Sequence, residues 1–144
     1  MAQSLARLHV HLVFSTKHRQ PFLEDGVRSS VHAYIAAVLK SCGCHPVLLN
    51  SVNNHIHILF ELGRTAALSA AVQETKSNSS RWIKSQGTEF GLFAWQAGYA
   101  AFAVDMSNLE HVRRYIERQR EHHTTETFQD EYRRFLIENQ VEFD

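Results

Sequence analysis

Residues 54–60 read Asn-His-Ile-His-Ile-Leu-Phe, and this stretch constrains the fold more than any other. Alternate side chains of a strand share a face, so His55 and His57 point one way. Their Cα atoms lie roughly 6.5–7 Å apart, close enough for two imidazoles to converge on one ion. Ile56, Ile58, Phe60 and Leu62 take the opposite face and require an apolar cover. The histidine pair has two readings at this point: a metal site, or polar residues solvated at a strand start.

The rest of the chain supplies the other elements. Leu8, Val10, Leu12 and Phe14 alternate with His9, His11 and Val13, which predicts a first strand over 8–14. A polar, basic loop follows, Ser15 to Pro21, carrying Lys17 and Arg19 as candidate phosphate contacts. From about Asp25, Val27, Val31, Tyr34, Ile35 and Val38 recur at helical steps, with Gly43 as the stop. Pro46–Val52 predicts a second strand, and Asn53-Asn54 the turn that returns the His-x-His strand as the other arm of a hairpin. A second helix spans 66–86; its Lys76, Arg81 and Lys84 line either a DNA-backbone groove or an ordinary exposed face. Ala97–Val104 is the fourth strand.

Ser107-Asn108-Leu109-Glu110 has the spacing of a capping box and predicts a helix over 107–123. Leu109, Val112 and Ile116 form its apolar stripe, and Tyr115 and Gln119 stand together at i and i+4. Thr127 opens a last helix that turns Phe128, Tyr132, Phe135 and Leu136 inward. The order β-α-β-β-α-β is the ferredoxin-like α+β pattern, a four-stranded antiparallel sheet with two helices on one face. The C-terminal helices then cover the histidine face, which puts Tyr115 and Gln119 over His55 and His57.

Composition narrows the classes. A chain of 144 residues suits one domain with a real core. No apolar run reaches the length of a membrane span, no secretory pattern opens the chain, and Cys42 and Cys44 read as reduced thiols, so the expected location is the cytoplasm. No Gly-rich phosphate loop is present, so no nucleotide cofactor is expected. The net charge is zero, but residues 1–84 carry +5 and residues 85–144 carry −5. A basic front half can provide a local phosphate-binding surface.

These residues together resemble the single-tyrosine HUH transposases of the smallest bacterial insertion sequences (HUH standing for His-hydrophobic-His). The resemblance is carried by His9 to Arg19, by Asn54-His55-Ile56-His57, by Trp95 to Phe102, and by the Tyr115-Ile116-x-x-Gln119 helix. It implies one domain over 1–144, with C-terminal helices at about 107–140, in a bacterial or archaeal protein. It also implies cleavage and rejoining of single-stranded DNA at insertion-sequence ends. Subterminal hairpins would be recognised by a homodimer using Mg²⁺ or Mn²⁺, and the tyrosine helix can reach the partner's histidine pair. Crossing over of that kind is the arrangement expected.

Under this resemblance Tyr115 is the nucleophile, forming a 5′-phosphotyrosine and freeing a 3′-hydroxyl. His55, His57 and Gln119 hold the cation, which polarises the scissile phosphate. Imidazole suits Mn²⁺ or Zn²⁺ better than Mg²⁺, and the sequence alone does not choose among them. An RNA-recognition-type module is disfavoured because neighbouring strands show no exposed aromatic pattern. Larger HUH nickases add domains for which the chain has no room.

Overall fold

A computed structural model describes residues 3–142. The strands are β1 (Leu8–Ser15), β2 (His45–Ser51), β3 (His55–Leu62) and β4 (Ala100–Val104). The helices are α1 (Asp25–Ser41), α2 (Leu68–Lys84), α3 (Leu109–Glu117), α4 (Gln119–His122) and α5 (Phe128–Glu138). The sheet order is β2-β3-β1-β4 and every neighbouring pair is antiparallel, which is the ferredoxin-like arrangement.

The two faces separate as the alternation requires. Leu12 pairs with Ile58 and Phe14 with Ile56 across β1 and β3. Together with Val10 and Phe60 they pack under Val31, Ile35 and Leu39 of α1 and Ala71, Val72 and Ile83 of α2. Leu12, Ile35, Leu39, Ile56, Ile58 and Phe60 are fully buried. Truncating Phe60 to alanine therefore costs about 3–5 kcal/mol. The polar middle of α2 also has a packing reason. Ser79 is buried and its Oγ accepts the Trp95 indole N–H at 2.9 Å, so a small polar residue is needed there.

The opposite face carries His9, His11, His55 and His57, all buried. Three C-terminal helices cover it. Leu109, Val112 and Ile116 of α3 pack on Leu59 and Val104, while Tyr132, Phe135 and Leu136 of α5 pack on Ala100 and Phe102.

Three details differ from the sequence reading. The helix expected over 107–123 breaks at Arg118 (φ −99°, ψ 23°) into α3 and α4. The expected capping box does not form: Ser107 Oγ donates to Asp105 Oδ1, and the same carboxylate accepts the Asn108 N–H at 3.0 Å. Asp105 outcompetes the serine because its charge makes it the stronger acceptor. The fourth strand begins at Ala100 rather than Ala97, because Gly98 adopts φ +84° and turns the chain after Trp95, which makes only an isolated bridge to Thr16.

Candidate active site

β3 delivers the histidine pair because its other face is locked into the core by Ile56, Ile58 and Phe60. His11 comes from β1 on the same face, and its Nε2 lies 2.8 Å from His57 Nδ1. Opposite them, α5 contributes Glu131, a carboxylate with essentially no solvent exposure. Its Oε1 lies 2.8 Å from His57 Nε2, 3.2 Å from His55 Nε2 and 3.2 Å from His123 Nε2. Its Oε2 accepts the Tyr115 hydroxyl and the Gln119 side-chain N–H, the latter at 3.2 Å. One carboxylate thus joins the tyrosine to three imidazoles. The Tyr115 oxygen also accepts an N–H from Arg134 Nη2 at 2.6 Å.

The position of Tyr115 follows from α3 packing. The stripe Leu109, Val112 and Ile116 seats α3 on its own sheet, and Asn50 Nδ2 donates to the Ile116 carbonyl at 2.7 Å. The Tyr115 ring then lies 6.0 Å from the His57 ring of the same chain. The resemblance implied that the tyrosine helix crosses to a partner; within this one chain the tyrosine already meets its own histidine pair.

The electrostatics of the cluster are tightly linked. Burial pushes His55 down to about 4, against the raising effect of its bond to Glu131. Burial and the neighbouring His57 push His11 to about 3. Burial works to raise Glu131, but the imidazoles of His123, His55 and His57 against it hold it well below the carboxylate range. His123 is desolvated yet raised, because Glu131 favours its charged form. Tyr115 is raised by burial and by its bond to Glu131.

The donor set fits a divalent cation. A neutral His55 has one N–H but faces oxygens on both sides: Asn54 Oδ1 lies 2.8 Å from Nδ1, and Gln119 Oε1 lies 3.3 Å from Nε2. With the proton on Nδ1, the Nε2 lone pair confronts oxygen lone pairs, an arrangement that a cation relieves. His123 Nε2 is buried without a well-directed hydrogen bond. The ligand atoms of His55, His57, His123 and Glu131 lie within 4.8 Å of one another.

The model of the "Transposase IS200 like" family matches residues 4–119. The chain belongs to the IS200-like transposase family. Similar solved structures agree in fold. One is from Deinococcus radiodurans R1 and is described as a candidate transposase; it is 22% identical, with a TM-score of 0.64, covering 83% of this chain and 98% of that one. Another is a REP-associated tyrosine transposase bound to a REP hairpin, 14% identical, with a TM-score of 0.54, covering 81% of this chain and 68% of that one. No curated protein matches the sequence.

In this transposase the residues singled out from sequence divide into two groups. His55, His57, Tyr115 and Gln119 come together. His123 and Glu131 join them, lying beyond the family match, which ends at Gln119. Glu131 was marked in the sequence only by its position on an apolar stripe, three residues after Phe128 and four before Phe135. His123 sits in the turn before α5, where no periodicity marks it. The five candidate DNA contacts lie apart from this cluster. Lys17 and Arg19 occupy the exposed turn after β1. Arg81 and Lys84 stand exposed on α2, which covers the opposite face of the sheet. Lys76 has a structural engagement: its Nζ donates to the carbonyls of Gln96 and Gly98 at 2.7 and 2.6 Å. No helix among the described residues is long and apolar enough to cross a membrane.

Proposed function

We propose that this transposase cleaves and rejoins single-stranded DNA through a covalent 5′-phosphotyrosine at Tyr115, within a site completed by one chain. The observation that carries the reading is the Glu131 carboxylate, which holds the Tyr115 hydroxyl with one oxygen and faces three imidazoles with the other. A phenol with its proton already directed at an acceptor is set up to become a nucleophile. The Tyr115 oxygen bonds phosphorus and its proton passes by way of Glu131 to water. The bond from phosphorus to the 3′-oxygen breaks, and that oxygen takes a proton from water. Religation runs the same exchange backwards and conserves the phosphoester energy.

A divalent cation held by His55, His57, His123 and Glu131, with Gln119 beside them, would supply charge to a non-bridging phosphate oxygen. Three imidazoles and one carboxylate suit Mn²⁺ better than Mg²⁺, which favours oxygen ligands. His11 fixes the His57 ring from behind and Asn54 fixes His55, as outer partners of metal-bound histidines do.

The relative bound to a REP hairpin supports hairpin DNA as the substrate. Lys17, Arg19, Arg81 and Lys84 are proposed as backbone contacts on surfaces away from the cluster. A homodimer would then serve to bring two DNA ends together rather than to complete either site.

The test is a randomised single-stranded oligonucleotide pool incubated with the protein and Mn²⁺, followed by recovery of adducts that survive denaturation. Wild type should give adducts and yield the cleaved sequence; Tyr115→Phe and excess chelator should give none. Adducts in Tyr115→Phe would refute the assignment of the nucleophile.

A further inference from the structure

Arg134 lies beyond the family match, on α5, one turn after Glu131. Its Nη2 donates to the Tyr115 oxygen at 2.6 Å, and its guanidinium carbon sits 5.3 Å from the Tyr115 ring centre and 4.9 Å from that of Phe135. The Glu126 carboxylate grips Nε and Nη2 at 3.1 Å each, and Glu138 lies 3.4 Å from Nη1. These contacts aim the group without burying it, since about a third of the side chain remains accessible (36%).

Arg134, Tyr115, His122, Thr125, Glu126 and Asp130 line an open cleft of about 550 Å³, within the size range of small-ligand sites. The hydroxyl is therefore flanked on one side by the Glu131–imidazole cluster and on the other by a cation that faces solvent. Glu126, Tyr115 and Glu138 engage four of its five N–H groups and leave one on Nη1; a fixed, planar guanidinium of this kind is well matched to a phosphate.

We propose that Arg134 is a catalytic residue of strand transfer, binding a non-bridging oxygen of the phosphate at Tyr115 and stabilising the tyrosine oxygen as it leaves during rejoining. The proposal rests on the phosphotyrosine reading given above. Once Tyr115 has attacked, its oxygen bridges to phosphorus. The guanidinium now beside that oxygen then reaches the phosphate with another N–H. In rejoining, the incoming 3′-hydroxyl gives its proton to water and its oxygen bonds phosphorus. The bond from phosphorus to the tyrosine oxygen breaks with its electron pair on the tyrosine oxygen, which takes a proton from water by way of Glu131. Arg134 offsets the charge there at the moment it develops.

The alternative role is a structural clamp holding α5 to the preceding turn through Glu126. The experiment separates the two roles. With an oligonucleotide recovered from the adduct selection, single-turnover rates of adduct formation and of rejoining to an added 3′-hydroxyl strand are measured for wild type, Arg134→Gln and Arg134→Lys. DNA affinity and melting temperature are measured alongside. Arg134→Gln should slow both steps on the order of 100-fold, as loss of one preorganised donor does, with DNA affinity and melting temperature little changed. Arg134→Lys should recover part of the rate, because it keeps the charge but loses the fork. Wild-type rates in Arg134→Gln would overturn the proposal. So would equal losses in both variants that track a lowered melting temperature, which is the clamp's signature. If wild type forms no adduct, or Tyr115→Phe still does, the phosphotyrosine reading itself has failed and the role given to Arg134 falls with it.

Discussion

Replacing Glu131 by glutamine keeps the shape of the side chain and removes the charge around which the site is organised. Its oxygens meet His55, His57 and His123 on one side and Tyr115 and Gln119 on the other. An amide can still accept from the imidazoles with its oxygen. Its NH₂ group then faces the Gln119 NH₂ and a tyrosine hydroxyl that has lost its acceptor. Breaking a buried charge-assisted network of this kind costs about 3–5 kcal/mol. The desolvation no longer required of the carboxylate offsets part of this, leaving about 3 kcal/mol. For a domain of this size that is a fall in melting temperature of roughly 10 °C. Thermal unfolding followed by circular dichroism in chelator measures it directly. Mn²⁺ at about a hundred times its dissociation constant should stabilise wild type by about 2.7 kcal/mol, and Glu131→Gln by much less at the same concentration. A variant that melts at or above wild type in chelator, or that gains as much from Mn²⁺, would refute the role assigned to this carboxylate.

Further outcomes follow from the same geometry. Acidification in chelator should destabilise the protein as pH falls from 6.5 towards about 4. His11 and His55, lowered to about 3 and about 4 from 6.5, contribute stability that is present above pH 6.5 and lost as pH falls towards those values. His123, which is raised, acts in the opposite sense, its contribution being present below pH 6.5 and lost as pH rises through its folded value. The two lowered groups outweigh it, and a melting temperature that climbs on acidification would contradict this balance. Trp95→Phe deletes the indole N–H that meets Ser79 and should cost about 1–3 kcal/mol in urea unfolding; no change would show that the contact is not formed. Mixing Tyr115→Phe with His57→Ala under conditions that exchange subunits should restore no cleavage, because each chain then carries one lesion in its own site. Recovered cleavage would establish a crossed-over tyrosine instead.

The β-α-β-β-α-β order was legible because period-two alternation in β1 and β3 leaves one face apolar in each, and antiparallel pairing lines up Phe14 with Ile56 and Leu12 with Ile58. The histidine pair, Tyr115 and Gln119 were legible as types at a spacing. Their meeting depends on α3 packing through Leu109, Val112 and Ile116, which local pattern only suggests. Glu131 was hidden because a carboxylate on an apolar stripe usually marks a stripe's edge; here three imidazoles stabilise its burial. His123 was hidden in a turn. Lys76 shows what charge alone leaves out: the sequence offered it as a DNA contact or an exposed face, and in the fold its Nζ holds the carbonyls of Gln96 and Gly98 where Gly98 turns the chain.

The central claim is that the cation site is built by β3 together with the C-terminal segment of the same chain, within reach of Tyr115. Anomalous diffraction from crystals soaked in Mn²⁺ tests it most directly. The account predicts a single strong peak among the Nε2 atoms of His55, His57 and His123 and a Glu131 oxygen, at metal–ligand distances of about 2.0–2.3 Å. A peak held by His55, His57 and Gln119 with Glu131 and His123 turned away, or no peak beside Tyr115, would contradict it.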